Sequence, residues 1–429
     1  MSDLNRLTAT EAAREIAAGR ITSEDLVRDC LGRIAERDAE IQAWVHCDRD
    51  AAIAAARAID KSDVRGPLRG VPIAFKDVID TCDMPAQYNS PIYSGYRPKA
   101  DAACAAMVRH AGGIVLGKTV TTEFASHTPG PTRNPHNTAY SPGGSSSGSA
   151  AAVADFMVPL GFGTQTGGST IRPASFCGIV GYKPSFGTIN RAGLKFFSES
   201  LDTIGVLGRS VEDCALLVHA VSSRALPDFD AARAPRIGLV RTSRWKDATD
   251  AMQSAVESAA AAAAKAGGEV RELELPADFD ALYDTQILIM NYEAARALAH
   301  ERYTQPGRLS DYLRKTLDKY WDTPRERYDQ AMRHARACRQ AYASLFEEVD
   351  VLLTPSAPGE APKGITSTGN SLFNRNWTLL GAPCVTIPHG TGPAGLPLGV
   401  QIVGAYDDDA RVLLAAQWLT RSLGGAAAL

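Results

Sequence analysis

The chain has 429 residues, 45% of them hydrophobic, and a formal net charge of −3. This composition supplies a large globular core, and it lacks the basic excess that is typical of nucleic-acid binding. No apolar run is long enough to span a membrane and the first residues lack a signal-peptide core, so we expect a cytoplasmic protein without a membrane partner. Eight scattered cysteines without a C-x-x-C pair indicate reduced thiols and no zinc site.

Residues 1–60 predict three helices. Thr8 with Glu11 three positions later forms a capping-box pattern, and Thr22 opens a second helix in the same way. Asp48 is placed to cap a third, alanine-rich helix.

The segment 70–77 predicts a strand that ends on a lysine. Alternation puts Val71, Ile73 and Phe75 on one face and Lys76 on the other. Taken alone, such a lysine is typically solvated. If it enters a closed polar site instead, the loss of water lowers the pKa of the amine and leaves a neutral base.

Two glycine- and serine-rich turns, 143–149 and 166–169, are separated by a helix-forming run at 150–154 and an apolar run at 157–162. Glycine permits positive φ and brings backbone N–H groups close to a ligand. Amides in the second turn are placed to converge on one oxygen and to stabilise a tetrahedral intermediate, while its last residue attacks the carbonyl. The four residues of this turn are Thr166, Gly167, Gly168 and Ser169. No G-x-S-x-G elbow with a downstream histidine is present, so Lys76 is the alternative base.

These segments resemble the amidase signature family, whose catalytic set is Ser–cis-Ser–Lys. Its pattern G-G-S-S-G-G-S…G-T-D-x-G-G-S-I-R is met by residues 143–149 and 163–172, and its lysine motif by residues 70–77. The resemblance implies Ser169 as nucleophile, Ser145 as bridging serine after a cis peptide, and Lys76 as base. It implies an oxyanion hole from the amides of 166–169, and neither a cofactor nor a metal.

The resemblance also implies an α/β fold with a large mixed central sheet covered by helices on both faces, which fits the alternation of predicted helices and strands. Further strands are predicted at 114–117, 179–184, 236–240, 351–355, 384–388 and 399–404. Residues 198–208 are expected to form a loop. We expect one domain over 1–429, divided into an N-terminal helical segment, a signature core, a variable and mainly helical cap, and C-terminal core strands with a helix. The four parts are 1–60, 61–225, 226–348 and 349–429.

Two departures from the commonest pattern bear on the substrate. Gln165 replaces the usual aspartate, and Arg172 falls one position late, as in a malonamidase-like branch that acts on small amides carrying a carboxylate. Arg172 then either binds a substrate carboxylate bidentately or pairs with a nearby acid to hold the loop. Further candidate substrate-binding residues are Tyr88, Gly144, Ser146, Gln165 and Trp377.

The predicted function is hydrolysis of the C–N bond of a small-molecule amide through an acyl-enzyme, with water as the second reactant. The family resemblance also implies a homodimer. One alternative is an amidotransferase A-type subunit that works on charged tRNA, which is usually longer and keeps the aspartate that is Gln165 here. Another is a urethane, urea-type or aryl-amide hydrolase of the same family. A third is a non-enzymatic amide-binding scaffold, against which the complete set of Lys76, Ser145 and Ser169 argues.

Overall fold

Eleven strands form a single sheet in the computed structural model, which describes residues 3–63 and 66–424. The ends of the expected domain, at residues 1–2 and 425–429, lie outside the described residues. The strands are β1 (Trp44–His46), β2 (Pro72–Lys76), β3 (Ile114–Thr119), β4 (Leu160–Gln165), β5 (Val180–Lys183), β6 (Thr203–Gly208), β7 (Arg236–Leu239), β8 (Glu269–Glu272), β9 (Val351–Pro355), β10 (Cys384–Thr391) and β11 (Pro397–Val403).

Helices surround this sheet, and the first three begin at the predicted caps. Thr8 and Thr22 each form a full capping box, and Asp48 accepts hydrogen bonds from the first amides of its helix. The helices are α1 (Ala9–Ala17), α2 (Ser23–Ile41), α3 (Arg49–Asp60), α4 (Ala103–His110), α5 (Ser147–Ala154), α6 (Ile171–Phe176), α7 (Val211–Ala220), α8 (Asp250–Lys265), α9 (Leu282–Ala297), α10 (Ala299–Thr304), α11 (Asp311–Trp321), α12 (Arg325–Ser344), α13 (Arg375–Leu379) and α14 (Asp409–Ser422). Within the described ranges, none of these helices is long and apolar enough to cross a membrane.

The sheet is mixed, with the order β1-β3-β2-β4-β6-β5-β10-β11-β9-β7-β8. Strand β2 lies parallel between β3 and β4, whereas β4, β6, β5, β10, β11 and β9 are antiparallel neighbours. The central strands are buried along their whole length because helices cover both faces. The predicted α/β class with a large mixed sheet is confirmed.

The expected loop at 198–208 is found only at 198–202, because residues 203–208 form β6, which occupies the middle of the sheet between β4 and β5. Its glycines suggest a turn, but close packing requires them. A Cβ on Gly205 would lie 2.5 Å from Thr170 Oγ1, directly after the predicted nucleophile. This glycine therefore lets the Ser169 loop lie against the sheet. The helix α6 that follows this loop was not predicted either.

Strand β4 runs three residues further than the apolar run 157–162 predicts. Because β2 and β4 are parallel and Phe75 pairs with Phe162, Lys76 and Thr164 both lie at the carboxyl ends of their strands. Ligand sites in α/β proteins commonly form at this edge. The strand register therefore brings the lysine to the start of the second glycine turn.

Candidate active site

The amine of Lys76 lies in contact with the first glycine turn. Lys76 is fully buried, and its Nζ is 2.7 Å from both Ser145 Oγ and Thr164 Oγ1. The peptide bond between Gly144 and Ser145 is cis, which confirms the conformation that the family resemblance implied. Thr164 was not among the predicted site residues.

Burial lowers the pKa of Lys76 from 10.5 to about 7; the charge of Asp202 opposes this shift and that of Arg172 adds to it. A substantial fraction of the amine is therefore neutral at neutral pH. A neutral amine has two N–H donors and one lone pair. It can donate to Thr164 while it accepts a proton from Ser145.

Backbone and side-chain hydrogen bonds join the two glycine turns. The N–H of Ser146 donates to the carbonyl of Ser169 at 3.3 Å, and the Ser146 hydroxyl bonds to both the N–H and the carbonyl of Thr164. Ser169 lines a small cavity. The structure thus brings Lys76, Ser145 and the Ser169 turn to one place.

The carboxylate of Asp202, which is buried, supports the Thr166–Ser169 turn. The hydroxyl of Thr166 donates to Asp202, whose other oxygen accepts the N–H groups of Phe197 and Ser198 at 2.7 and 3.0 Å. Burial raises the pKa of Asp202, and the hydrogen bond from Thr166 opposes that shift. All four amide-bearing residues of the turn line the cavity, as an oxyanion hole requires.

Two arginines line the same cavity while almost fully buried. Arg172 is 4% exposed and Arg375 is 5% exposed. Arg172 donates to the carbonyl of Gly144 at 2.6 Å and to Thr368 Oγ1 at 3.2 Å. Neither arginine forms an ion pair with any described residue, and the Nε of each lacks a hydrogen-bond partner. The acid partner that one interpretation gave Arg172 is therefore absent from the described ranges.

The electrostatics of this cavity favour an anion. Burial lowers the pKa of both guanidinium groups, and the charge of Arg375 lowers that of Arg172 further. His127 also lines the cavity although its side chain is exposed to solvent, and the surrounding protein, together with the charges of Arg375 and Arg172, lowers its pKa. No carboxylate is among the described residues that line the cavity.

Of the candidate substrate-binding residues, only Arg172 lines the cavity. Tyr88 is buried with its hydroxyl on Asp80, and Trp377 packs against Tyr342. Gln165 is fully buried, and both ends of its amide bond to the protein, at Thr378, Thr170 and Ile171. Gly144 and Ser146 build the first turn beneath the cavity. These five residues therefore lie in the framework around the cavity, and their predicted contact with substrate stays a prediction.

The remaining walls of the cavity come from segments that no predicted motif connects with the site. They are Ala125, Ser126, His127, Phe197, Met290, Ser371 and Arg375. One signal was available for Arg375, which is the only charged residue in the run 371–380. No group of three or more His, Cys, Asp or Glu residues in the described part of the chain is arranged to hold a metal ion.

Comparison with known proteins places this geometry in a family. The Amidase family model matches residues 25–413. The A-type subunit of glutamyl-tRNA(Gln) amidotransferase from Acidothermus cellulolyticus is 35% identical over 472 aligned residues, covering 96% of this chain and 93% of the relative.

Two solved structures share the fold over nearly their whole length. Native peptide amidase from Stenotrophomonas maltophilia matches with a TM-score of 0.86 and 27% identity, covering 98% of this chain and 97% of that one. A structure from a vestigial protein complex related to the origins of an s-triazine catabolic enzyme matches with a TM-score of 0.90 and 28% identity, covering 97% of this chain and 98% of that one. With the buried lysine, the cis peptide and the glycine turns in place, the chain belongs to the amidase signature family of amide-cleaving enzymes.

Proposed function

We propose that this protein hydrolyses the C–N bond of a small amide through a serine acyl-enzyme. Ser169 Oγ attacks the carbonyl and passes its proton to Ser145, which passes one to neutral Lys76. The amides of 166–169 stabilise the oxyanion. The relay returns the proton to the leaving nitrogen, and water then attacks the acyl-enzyme, releases the acid and restores the Ser169 hydroxyl.

One observation carries this proposal: a fully buried amine with a pKa of about 7, 2.7 Å from Ser145 Oγ. A lysine that served only to hold the loop would not require the neutral form. General bases work best when their pKa lies near the operating pH.

We further propose that the acyl part is short and carries a carboxylate. The cavity is small, and the uncompensated charge of Arg172 lies inside it. A buried charge without an ionic partner is unfavourable, and a planar carboxylate matches the donor geometry of a guanidinium. Malonamate is a short amide of this kind.

The test compares malonamate with its uncharged isostere, 3-methylbutanamide, by ammonia release from the purified protein. We expect malonamate to be the better substrate. Ser169→Ala should abolish turnover, and Ser145→Ala should lower kcat by at least about 10²-fold because it removes the proton relay. Near-normal turnover by either variant contradicts the proposed relay.

A second candidate is an amidotransferase A-type subunit, which the 35% identity to such subunits over most of both chains favours. Glutamine would then be the amide, and its carboxylate would also suit the arginines. The alignment, at 472 positions, is longer than this 429-residue chain, so the relative contains segments that this chain lacks. Glutamine hydrolysis that appears only with partner subunits would favour this second candidate over the first.

A further inference from the structure

Arg375 lies beside the predicted oxyanion hole. Its guanidinium carbon and one terminal nitrogen are 3.6 and 3.5 Å from the position that a Cβ on Gly167 would occupy. We propose that Arg375 is a second carboxylate-binding residue and that its contact with Gln286 couples recognition of the acid to the geometry of the oxyanion hole. This inference rests on the proposed hydrolysis at Ser169.

The coupling runs through Gln286, a fully buried residue of α9. Its Oε1 accepts a hydrogen bond from Arg375, and its Nε2 donates to the carbonyl of Thr166 at 2.7 Å. The carbonyl of Thr166 and the N–H of Gly167 belong to one planar trans peptide and point in opposite directions. Fixing this carbonyl therefore fixes the direction of one oxyanion donor.

Helix α13 fixes the next donor in the same way. Thr378 lies three residues after Arg375, and its hydroxyl donates to the carbonyl of Gly167 at 2.8 Å, which orients the N–H of Gly168. Residues three apart lie on the same helix face. The helix that carries the arginine is thus also a support of the turn.

The charge distribution indicates what Arg375 binds. Tyr283 and Tyr312 are the groups that favour its charged form, and the neighbouring Arg172 and His127 supply no negative charge. Asp202, the buried acid that contacts the turn, is occupied by Thr166 and two backbone amides. A substrate carboxylate between the two guanidinium groups would supply the missing countercharge close to the scissile carbonyl.

The specificity arm of the test uses Arg375→Met and Arg375→Lys with malonamate and 3-methylbutanamide. We expect Arg375→Met to lower kcat/KM for malonamate at least about tenfold more than for the uncharged isostere, as loss of a charged hydrogen bond predicts. Arg375→Lys should recover part of this preference. Equal losses for the two substrates would overturn the inference.

The matched control is Arg339→Met. Arg339 donates to the carbonyl of Leu379 at the far end of α13 and does not line the cavity. It therefore perturbs the same helix without touching substrate. We expect its preference for malonamate over the isostere to equal that of the wild type, and a matching loss of preference would show that Arg375 acts only by packing.

The coupling arm uses Gln286→Leu. A displaced oxyanion donor weakens the transition state, so kcat should fall about tenfold for 3-methylbutanamide and further for malonamate, whose carboxylate no longer acts on the turn through Arg375, while KM changes little. Equal falls in kcat, a change in KM alone, or no change would overturn the coupling. Labelling of Ser169 by a fluorophosphonate distinguishes a failure of the proposed hydrolysis from a failure of the Arg375 inference. An unlabelled wild type means that the proposed hydrolysis has failed, whereas a labelled protein without acid preference means that only this inference has failed.

Discussion

Lys76 should set the lower limit of the pH–activity profile. Only the neutral amine accepts a proton, and burial brings its pKa to about 7. We expect kcat/KM for 3-methylbutanamide, which does not titrate, to rise with pH through about 7 and then to level off. A profile that is flat from about pH 5 to 9 would contradict the role of Lys76 as base.

The same burial predicts a stability effect. Because the pKa of Lys76 is lower in the folded protein than its ordinary 10.5, the unfolded chain binds more protons between about pH 7 and 10.5 and stability rises over that window. Lys76→Met removes this unfavourable burial. After the lost contacts to Ser145 and Thr164 are deducted, we expect a gain on the order of 2 kcal/mol at pH 7.

Thermal or urea unfolding of the inactive Lys76→Met variant checks this expectation. The gain in the free energy of unfolding should shrink as the pH rises from about 7 to 10.5, because above 10.5 the wild-type amine is neutral in both states. A variant less stable than the wild type at pH 7 would show that packing and hydrogen bonds outweigh the burial of the amine.

At the residue scale, the sequence motifs predicted that Lys76, Ser145 and the Ser169 turn come together, which the structure confirms, while their catalytic roles stay predictions. The sequence was insufficient for the cavity wall. Phe197, Met290 and Arg375 come from three separate segments, and their convergence depends on tertiary packing. In the run 371–380 the sequence drew attention to Trp377, yet this indole packs inward while Arg375 faces the cavity.

At the scale of elements, the strand that carries Lys76 is fixed by a buried ion pair. Lys118 of β3 lies 3.0 Å from the carboxylate of Asp77, which directly follows β2, and both side chains are fully buried. Asp77 also accepts the N–H groups of Gln87 and Tyr88 at 3.0 and 3.1 Å. The pair therefore ties β2, β3 and the following loop together.

Lys118→Met should destabilise the protein by about 3–5 kcal/mol, because it leaves the carboxylate of Asp77 buried without its cation. Urea unfolding measures this loss. The double variant Lys118→Met with Asp77→Leu is the control, and it should lose less than the single variant because no buried charge is left over. A single variant as stable as the wild type would mean that water reaches Asp77.

Helices with a capping box and long apolar strands were predictable at this scale because local sequence decides them. Strand β6 was not predictable, because its glycine at 205 is required by close packing against Thr170 and not by a turn in the local chain. Helix α6 was missed for a related reason. Its first amides, at Thr170 and Ile171, are bound by Gln165 from the end of β4, and α13 supports Gln165 in turn.

For the whole molecule, the proposed function predicts that the purified chain is active without another protein. The residues of the proposed relay, the proposed oxyanion donors and the two arginines all come from this chain. We expect kcat for malonamate to be unchanged, within about twofold, when candidate amidotransferase partner subunits are added. A large activation by such partners, together with a preference for glutamine, would favour the amidotransferase role.

The two margins of the sheet limit how copies of this protein can associate. At one margin β1 offers three residues, and at the other β8 presents Glu269, Arg271 and Glu272 to solvent. A short or highly charged border gives an incoming strand little to pair with. Any self-association should therefore join helical surfaces and leave the sheet at eleven strands, and the same borders should keep concentrated solutions free of fibrous aggregates.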